Sequence, residues 1–274
     1  MSTFLRRTLV VLVLLPVGLG LIYLGSWYFV AMVALILLLA AYEYVGLFRV
    51  GGFEPSIWVA LGGTLLVVIG RQLNGFDSSG WILSLVVLGS MAYHLFAYER
   101  GRDQAGTDFA ITISAVLYIA WLGAYLVSIR NLEQGFWWLL LVLVPVWLAD
   151  AGAYILGSMI GKHKITPRLS PGKTWEGYLG GIVAAVLGAV LLVLLHQALT
   201  AGGSEITVLS GAVLGLVLGA VSIFGDVGES MIKRQVGRKD SGNLLPGHGG
   251  AFDRIDSWLW AAAIGYYLIA GFIL

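Results

Sequence analysis

The sequence predicts an all-α integral membrane protein that crosses the bilayer about nine times. Of its 274 residues, 59% are hydrophobic and only 11% are charged, whereas charged residues make up about a quarter of an ordinary soluble domain. Apolar runs long enough to cross a hydrocarbon core of about 30 Å recur from one end to the other. There are no cysteines, so disulfides, thiolate metal sites and cysteine nucleophiles are excluded.

The predicted spans follow one another with short polar connections. The first follows Arg6 and Arg7 and is interpreted as a retained span rather than a signal peptide, because equally apolar spans follow and no clear cleavage site closes it. The third is short, and only Ser26 and its neighbours separate the first two, so a merged or re-entrant pair there would change the count. The predicted spans are 8–25, 27–48, 55–70, 80–98, 108–129, 136–159, 174–196, 207–227 and 255–274.

The basic residues predict a cytoplasmic N-terminus. With nine alternating spans and that orientation, fourteen of the sixteen Lys and Arg residues lie inside and only Arg71 and Arg130 lie outside, as the positive-inside rule requires. The two richest polar loops, 160–173 and 228–254, then face the cytoplasm together. One alternative is that these loops are basic only because they are cytoplasmic. We expect residues 1–135 to form a scaffold of about five spans, and residues 136–274 to form the catalytic region.

Acidic residues within the apolar spans favour a functional site. Asp150 lies inside the sixth span, and Asp226 ends the eighth, three residues before Glu229. A carboxylate at membrane depth costs several kcal/mol unless it is paired, solvated or bound to a cation. Glu43 is also intramembrane, and for it we expect a hydrogen bond to a neighbouring helix. The glycines at 211, 215 and 219 are spaced by four and indicate close helix packing.

Two further carboxylates stand three positions apart where the last span begins. Asp253 and Asp256, in the run D-R-I-D, share one face of a helix and suit Mg²⁺, which binds through one or two carboxylates plus substrate phosphates. The alternative is a salt-bridge cluster with Arg254. The preceding run PGHGG leaves backbone N–H groups free for a phosphate, and His248 within it is a candidate phosphate donor or metal ligand.

The other polar loop leads from Lys162 into the seventh span. Its Gly-Lys-Thr triplet, 172–174, resembles part of a P-loop, but Pro167 stands where that motif needs glycine. Ser170 or Thr174 is a candidate cap for the helix that follows, with Glu176 in the first turn. Lys173 is placed to hold a phosphate or an anionic lipid head group.

A longer pattern unites these pieces. The run S-x-[apolar]-K-R-x4-K-D-x-G-x2-L-P-x-H-G-G-x2-D-R-I-D, residues 230–256, resembles the signature of the CDP-diacylglycerol synthases (phosphatidate cytidylyltransferases). The upstream runs ADAGAY, SPGKTWEG and GDVGES are similar to blocks of that family in the same order. The resemblance covers residues 150–256 in detail. Ala251 and Asn243 depart from the pattern, and since neither is a carboxylate, we expect activity to survive both.

The resemblance implies transfer of a cytidylyl group from CTP to phosphatidate, with Mg²⁺ and within the bilayer. It implies that Asp226, Asp253 and Asp256 hold one or two divalent ions, and it leaves room for a monovalent cation. Lys233, counted as catalytic, would neutralise phosphates, and Asp150 would support the site or contact the nucleotide. The remaining substrate-binding residues that it implies are Ser170, Lys173, Thr174, Arg234, Lys239, Asp240 and His248.

The resemblance also implies a homodimer in the inner membrane, with its site towards the cytoplasm and no nucleic-acid partner. Two other classes stay open. A CDP-alcohol phosphotransferase would carry the run D-x2-D-G-x2-A-R-x8-G-x3-D-x3-D, which is absent from this chain. A transporter of an anionic lipid or metabolite would also use buried carboxylates, but the first half of the chain has no counterpart of the polar second half.

Overall fold

The computed structural model describes residues 3–200, 205–242 and 249–274, with side chains described from Leu12 onward except at 13 and 14. The predicted all-α membrane fold is confirmed. The helices are α1 Thr3–Leu24, α2 Ser26–Val50, α3 Ile57–Asn74, α4 Ser79–Glu99, α5 Ala105–Ser114, α6 Tyr125–Arg130, α7 Gly135–Ile160, α8 Trp175–Leu199, α9 Val208–Gln235 and α10 Phe252–Leu268. A π-helical segment, Ala115–Trp121, joins α5 to α6, and another, Ile269–Ile273, follows α10.

Eight helical stretches of the described chain are long and apolar enough to cross a membrane. They correspond to the second to ninth predicted spans, with α5, the π-helical segment and α6 forming one continuous stretch, Ala105–Arg130. The first predicted span falls on α1, whose apolar portion within the described side chains, Leu15–Leu24, is shorter than a bilayer requires. The count of nine and the cytoplasmic N-terminus stay predictions.

The chain forms two compact units that do not divide at a single point. The first unit contains residues 1–131 and 232–255, and the second contains residues 132–231 and 256–274. The predicted division at residue 135 differs from these units because the segment 232–255 packs with the first part of the chain. As a division of function between scaffold and catalytic region, it stays a prediction.

The first unit buries polar side chains as well as apolar ones. Arg71, in α3, is only 2% exposed, and its guanidinium lies 3.6 Å from the centre of the Phe76 ring and 4.6 Å from that of Trp121. Such a position is stabilised by cation–π attraction, which strengthens when the pair is removed from water. The later part of this unit packs against α2 through Phe252. The Phe252 ring lies edge-on to the Tyr44 ring, with 5.6 Å between the ring centres.

The second unit is built on close approach between helices. In α7 and α8, position 157 contacts 177 while position 148 contacts 188, so the two helices run antiparallel. A Cβ added at Gly215 of α9 would lie 2.8 Å from the Ala185 carbonyl oxygen of α8. The expected packing role of the four-residue glycine spacing is therefore confirmed, since only glycine permits this approach.

A short hairpin, which the sequence analysis did not predict, stands between α7 and α8. Strand β1, Lys164–Thr166, pairs antiparallel with β2, Ser170–Thr174. The hairpin delivers Thr174 to the start of α8 in an extended conformation, where its hydroxyl accepts a hydrogen bond from Gly177 N at 3.2 Å. Of the two predicted cap residues, Ser170 and Thr174, it is Thr174 that caps α8.

Candidate active site

An ion pair between Lys173 and Asp226 lies at the centre of the candidate site. Lys173 is the next-to-last residue of β2, and Asp226 lies on α9, so the hairpin places an ammonium group beside a carboxylate that α9 carries. The two side chains are 22% and 38% exposed. Because both are partly open to solvent, an incoming phosphate or cation can compete for either partner.

Two more carboxylates of the second unit interact with this pair. Asp256, in the first turns of α10, is 9% exposed and accepts a hydrogen bond from Ser257 N at 2.7 Å. Asp150, on α7, is exposed. The charges of these carboxylates interact with each other, with Asp226 and with Lys173. The Lys173–Asp226 pair therefore has two further acidic side chains in its electrostatic surroundings.

A glycine sets the spacing between α9 and α10 at this point. A Cβ added to Gly225 would lie 2.4 Å from the Asp256 carbonyl oxygen and 2.7 Å from the Cα of Ser257. The backbones therefore touch at the residue immediately before Asp226. This contact holds Asp226 and Asp256 in a fixed relation, although the two lie 30 positions apart in the chain.

Glu176, in the first turn of α8, has a structural role that its sequence position did not predict. Its carboxylate accepts hydrogen bonds from the backbone N–H groups of Lys162 and His163, at 3.0 and 3.3 Å. It also pairs with His163 Nδ1 at 2.6 Å. Glu176 therefore joins the start of the hairpin to the start of α8, which fixes the strand that carries Lys173.

Asp253 has its partners in the first unit. Lys233 Nζ lies 2.6 Å from its Oδ1, and the two side chains are 12% and 10% exposed. Its Oδ2 accepts from Ser241 N at 3.0 Å and Gly250 N at 2.8 Å, and it lies 2.9 Å from Ser241 Oγ. Both oxygens are thus engaged by protein donors, which is the salt-bridge alternative of the sequence analysis with Lys233 in place of Arg254.

The three predicted metal ligands are divided between the two units, with Asp253 in the first and Asp226 and Asp256 in the second. Within residues 3–200, 205–242 and 249–274, no three His, Asp or Glu side chains lie close enough to hold one metal ion together. Mg²⁺ needs only one or two protein carboxylates, because waters and substrate phosphates supply its other ligands. Asp226 and Asp256 fit this requirement. Asp253 does not fit it, because its oxygens already accept from Lys233, Ser241 and Gly250.

The other predicted substrate-binding residues are distributed over both units. Ser170 is half-buried in β2, opposite Thr166, and Thr174 is buried as the cap of α8. Arg234, Lys239 and Asp240 are exposed, and Arg234 Nη1 donates to the Arg238 carbonyl at 3.2 Å. The prediction for His248 lies outside the described residues.

The fold and the charged residues of the second unit define a multi-pass membrane protein with a partly open polar site. The model of the cytidylyltransferase family matches residues 5–272, which is almost the entire chain. The chain belongs to the cytidylyltransferase family.

Several relatives carry the name phosphatidate cytidylyltransferase. The protein of that name from Synechocystis is 30% identical over 295 residues, with 96% of each chain covered. That from Pseudomonas aeruginosa is 37% identical over 276 residues, covering 95% of this chain and 98% of its own. That from Bacillus subtilis is 40% identical over 163 residues, covering 59% and 58%.

Proposed function

We propose that this protein is a phosphatidate cytidylyltransferase, which converts CTP and phosphatidate to CDP-diacylglycerol and pyrophosphate. The observation that carries the proposal is the Lys173–Asp226 pair, with Asp256 beside it, in a membrane-spanning chain. Both substrates are anionic, one is a lipid and the other is water-soluble. A partly open polar site built on membrane helices suits that combination.

The reaction requires one in-line displacement at phosphorus. A phosphate oxygen of phosphatidate attacks the α-phosphorus of CTP, a new P–O–P linkage forms, and the bond to the β-phosphate breaks so that pyrophosphate leaves with its electron pair. The attacking oxygen is already ionised, so no general base is required. Catalysis then consists mainly of positioning the two phosphates and neutralising their charge.

The residues of the second unit supply both effects. Lys173 exchanges its carboxylate partner for a substrate phosphate, which can reach the ion pair because both side chains are partly open to solvent. Asp226 and Asp256 would hold Mg²⁺, which when bound screens the negative charge of the triphosphate. Thr174 and Glu176 act on the hairpin rather than on substrate, since their polar atoms are engaged in the contacts that fix it.

The cations of the first unit are of two kinds. Arg234 and Lys239 are exposed and available to phosphate groups, and we propose that role for them, with Asp240 beside them. Lys233 and Asp253 instead neutralise each other and hold Ser241 and Gly250. We therefore propose a supporting role for Asp253 in place of metal ligation. An inner-membrane location, a cytoplasmic site and a homodimer belong to the same proposal.

Transfer of label from CTP to lipid tests the proposed function. The purified protein in lipid nanodiscs is incubated with phosphatidate, Mg²⁺ and CTP labelled with ³²P in either the α- or the γ-phosphate. We expect α-label in the chloroform-soluble fraction, dependent on phosphatidate, while γ-label stays in the aqueous phase as pyrophosphate. A transporter would transfer neither label to lipid, and a CDP-alcohol phosphotransferase would consume CDP-diacylglycerol instead, so either result would overturn the proposal.

A further inference from the structure

Glu43 is a buried carboxylate with no part in the mechanism above. It lies in α2, well inside a membrane-spanning stretch, and is 7% exposed. Removing a carboxylate from water costs several kcal/mol unless hydrogen bonds compensate. The expected hydrogen bond to a neighbouring helix is confirmed, since Glu43 accepts one at the start of α10. A second comes from the segment that precedes α10.

The contact with α10 is a cap supplied by another helix. Glu43 Oε2 accepts a hydrogen bond from Phe252 N, the first residue of α10, at 2.9 Å. The first N–H groups of a helix have no acceptor within the helix, and the helix dipole makes that end attractive to a negative charge. Glu43 therefore stabilises the beginning of the helix that carries Asp253 and Asp256.

The second contact joins Glu43 to Asp253 through one hydroxyl group. Ser241 Oγ lies 2.9 Å from Glu43 Oε2 and 2.9 Å from Asp253 Oδ2. Asp253 in turn pairs with Lys233 near the end of α9. A continuous polar chain thus runs from α2 through Ser241 to the last turn of α9 and the first turn of α10.

Two glycines close tightly around the Glu43 carboxylate. A Cβ added to Gly242 would lie 2.6 Å from Glu43 Oε1, and one added to Gly250 would lie 2.2 Å from Oε2. The backbone on both sides of residues 243–248 is therefore shaped to the carboxylate. A side chain at either glycine would push the backbone at that position away from Glu43.

The other carboxylate oxygen, Oε1, is itself buried, and among the described residues no donor bonds to it. Glu43 also lines a cavity of about 320 Å³ together with Tyr42, Arg49 and Ser241. Glutamine has the same shape as glutamate, and its amide oxygen can take the place of Oε2. It should therefore preserve both protein contacts.

We propose that Glu43 is a positioning residue for the active site. It holds Ser241 and Phe252 against α2 and thereby sets the place of Asp253 and the start of α10. Its effect on catalysis rests on the proposed function, whereas its effect on the α10 start does not.

The test compares three variants by two independent measurements. Hydrogen exchange over residues 249–256 reports the α10 start, and CTP-dependent labelling of lipid, normalised to folded protein, reports kcat and KM. For Glu43→Leu we expect faster exchange there and a kcat lower by about 10- to 100-fold, because small displacements of catalytic groups cost rates of that order. For Glu43→Gln we expect both measurements near wild type. For Ser241→Ala we expect smaller changes in the same direction, in a variant too conservative to prevent folding.

Thr112→Val is the matched control. Thr112 is fully buried in the same unit, and its hydroxyl accepts a hydrogen bond from Ser56 N at 2.9 Å. It should lose thermal stability but keep kcat and the exchange rate of 249–256. If Glu43→Leu behaved like Thr112→Val, or if glutamine failed to rescue, the positioning role would be wrong. If the wild type did not label lipid but the exchange pattern held, the proposed function alone would fail.

Discussion

Substitution of Gly225 by alanine perturbs the candidate site without changing any polar group. The new methyl group would lie 2.4 Å from the Asp256 carbonyl oxygen and 2.6 Å from its carbonyl carbon. Both atoms belong to backbone, which cannot rotate away as a side chain would. The two helices must therefore separate at the point where Asp226 and Asp256 interact.

The required movement follows from the contact distance. An ordinary contact of a Cβ begins near 3.4 Å, so α9 and α10 must separate by about 1 Å. A misplacement of about 1 Å in catalytic groups lowers the rate by about 10²-fold. Replacing glycine by alanine within a helix otherwise stabilises it by about 0.5–1 kcal/mol. A loss of activity would thus reflect the displaced carboxylates rather than a weakened helix.

The assay is kcat for CTP-dependent labelling of phosphatidate in nanodiscs, with Gly89→Ala as the matched control. Gly89 lies within α4, and a Cβ there would meet nothing within 4 Å. We expect Gly89→Ala to retain wild-type kcat and Gly225→Ala to lose about two orders of magnitude. Wild-type kcat in a folded Gly225→Ala protein would refute the claim that this contact positions the two carboxylates.

Substitutions at three positions test the hairpin. Lys173→Ala should raise the apparent KM for substrate more than it lowers kcat, and Lys173→Arg should retain most of the affinity. If Lys173→Ala left KM unchanged at limiting CTP and at limiting lipid, the hairpin would be only a scaffold. Thr174→Ala removes the cap of α8 and should destabilise the protein by about 1 kcal/mol, which the thermal unfolding midpoint would show; an unchanged midpoint would contradict the cap. Glu176→Gln should speed tryptic cleavage after Lys162, because the hairpin start loses its charged acceptor; equal cleavage rates would show that Glu176 does not fix it.

The membrane spans could be predicted because the bilayer imposes a simple requirement. A helix that crosses hydrocarbon must be apolar over about 20 residues, and this composition is visible without any knowledge of packing. The cap at Thr174 and the glycine spacing in α9 could be predicted for a similar reason, since each depends on a local pattern. The hairpin could not, because its strands have only three and five residues in a loop of prolines and cations.

The partners of the charged residues depended on tertiary structure. Asp226 and Lys173 were each recognisable as candidates, but 53 positions separate them in the chain, and no spacing rule joins them. Asp253 and Asp256 share a helix and were expected to share a role. Their surroundings differ: Lys233 and Ser241 engage Asp253, while Asp256 interacts with Asp226.

Glu43 shows the same limit more clearly. It stands 198 positions from Ser241 and 209 from Phe252, and no motif surrounds it. Its intramembrane position was the only signal in the sequence, and that signal predicted a hydrogen bond without identifying the partner.

We propose that Asp226, paired with Lys173, belongs to a cytidylyl-transfer site. The most direct test is kcat for labelling of phosphatidate from α-labelled CTP by Asp226→Asn, an isosteric change that removes the charge. We expect a loss of about 10²–10³-fold or more in protein that stays folded in the membrane, as when a group that stabilises transition-state charge is removed. Near-normal turnover by folded Asp226→Asn would contradict it.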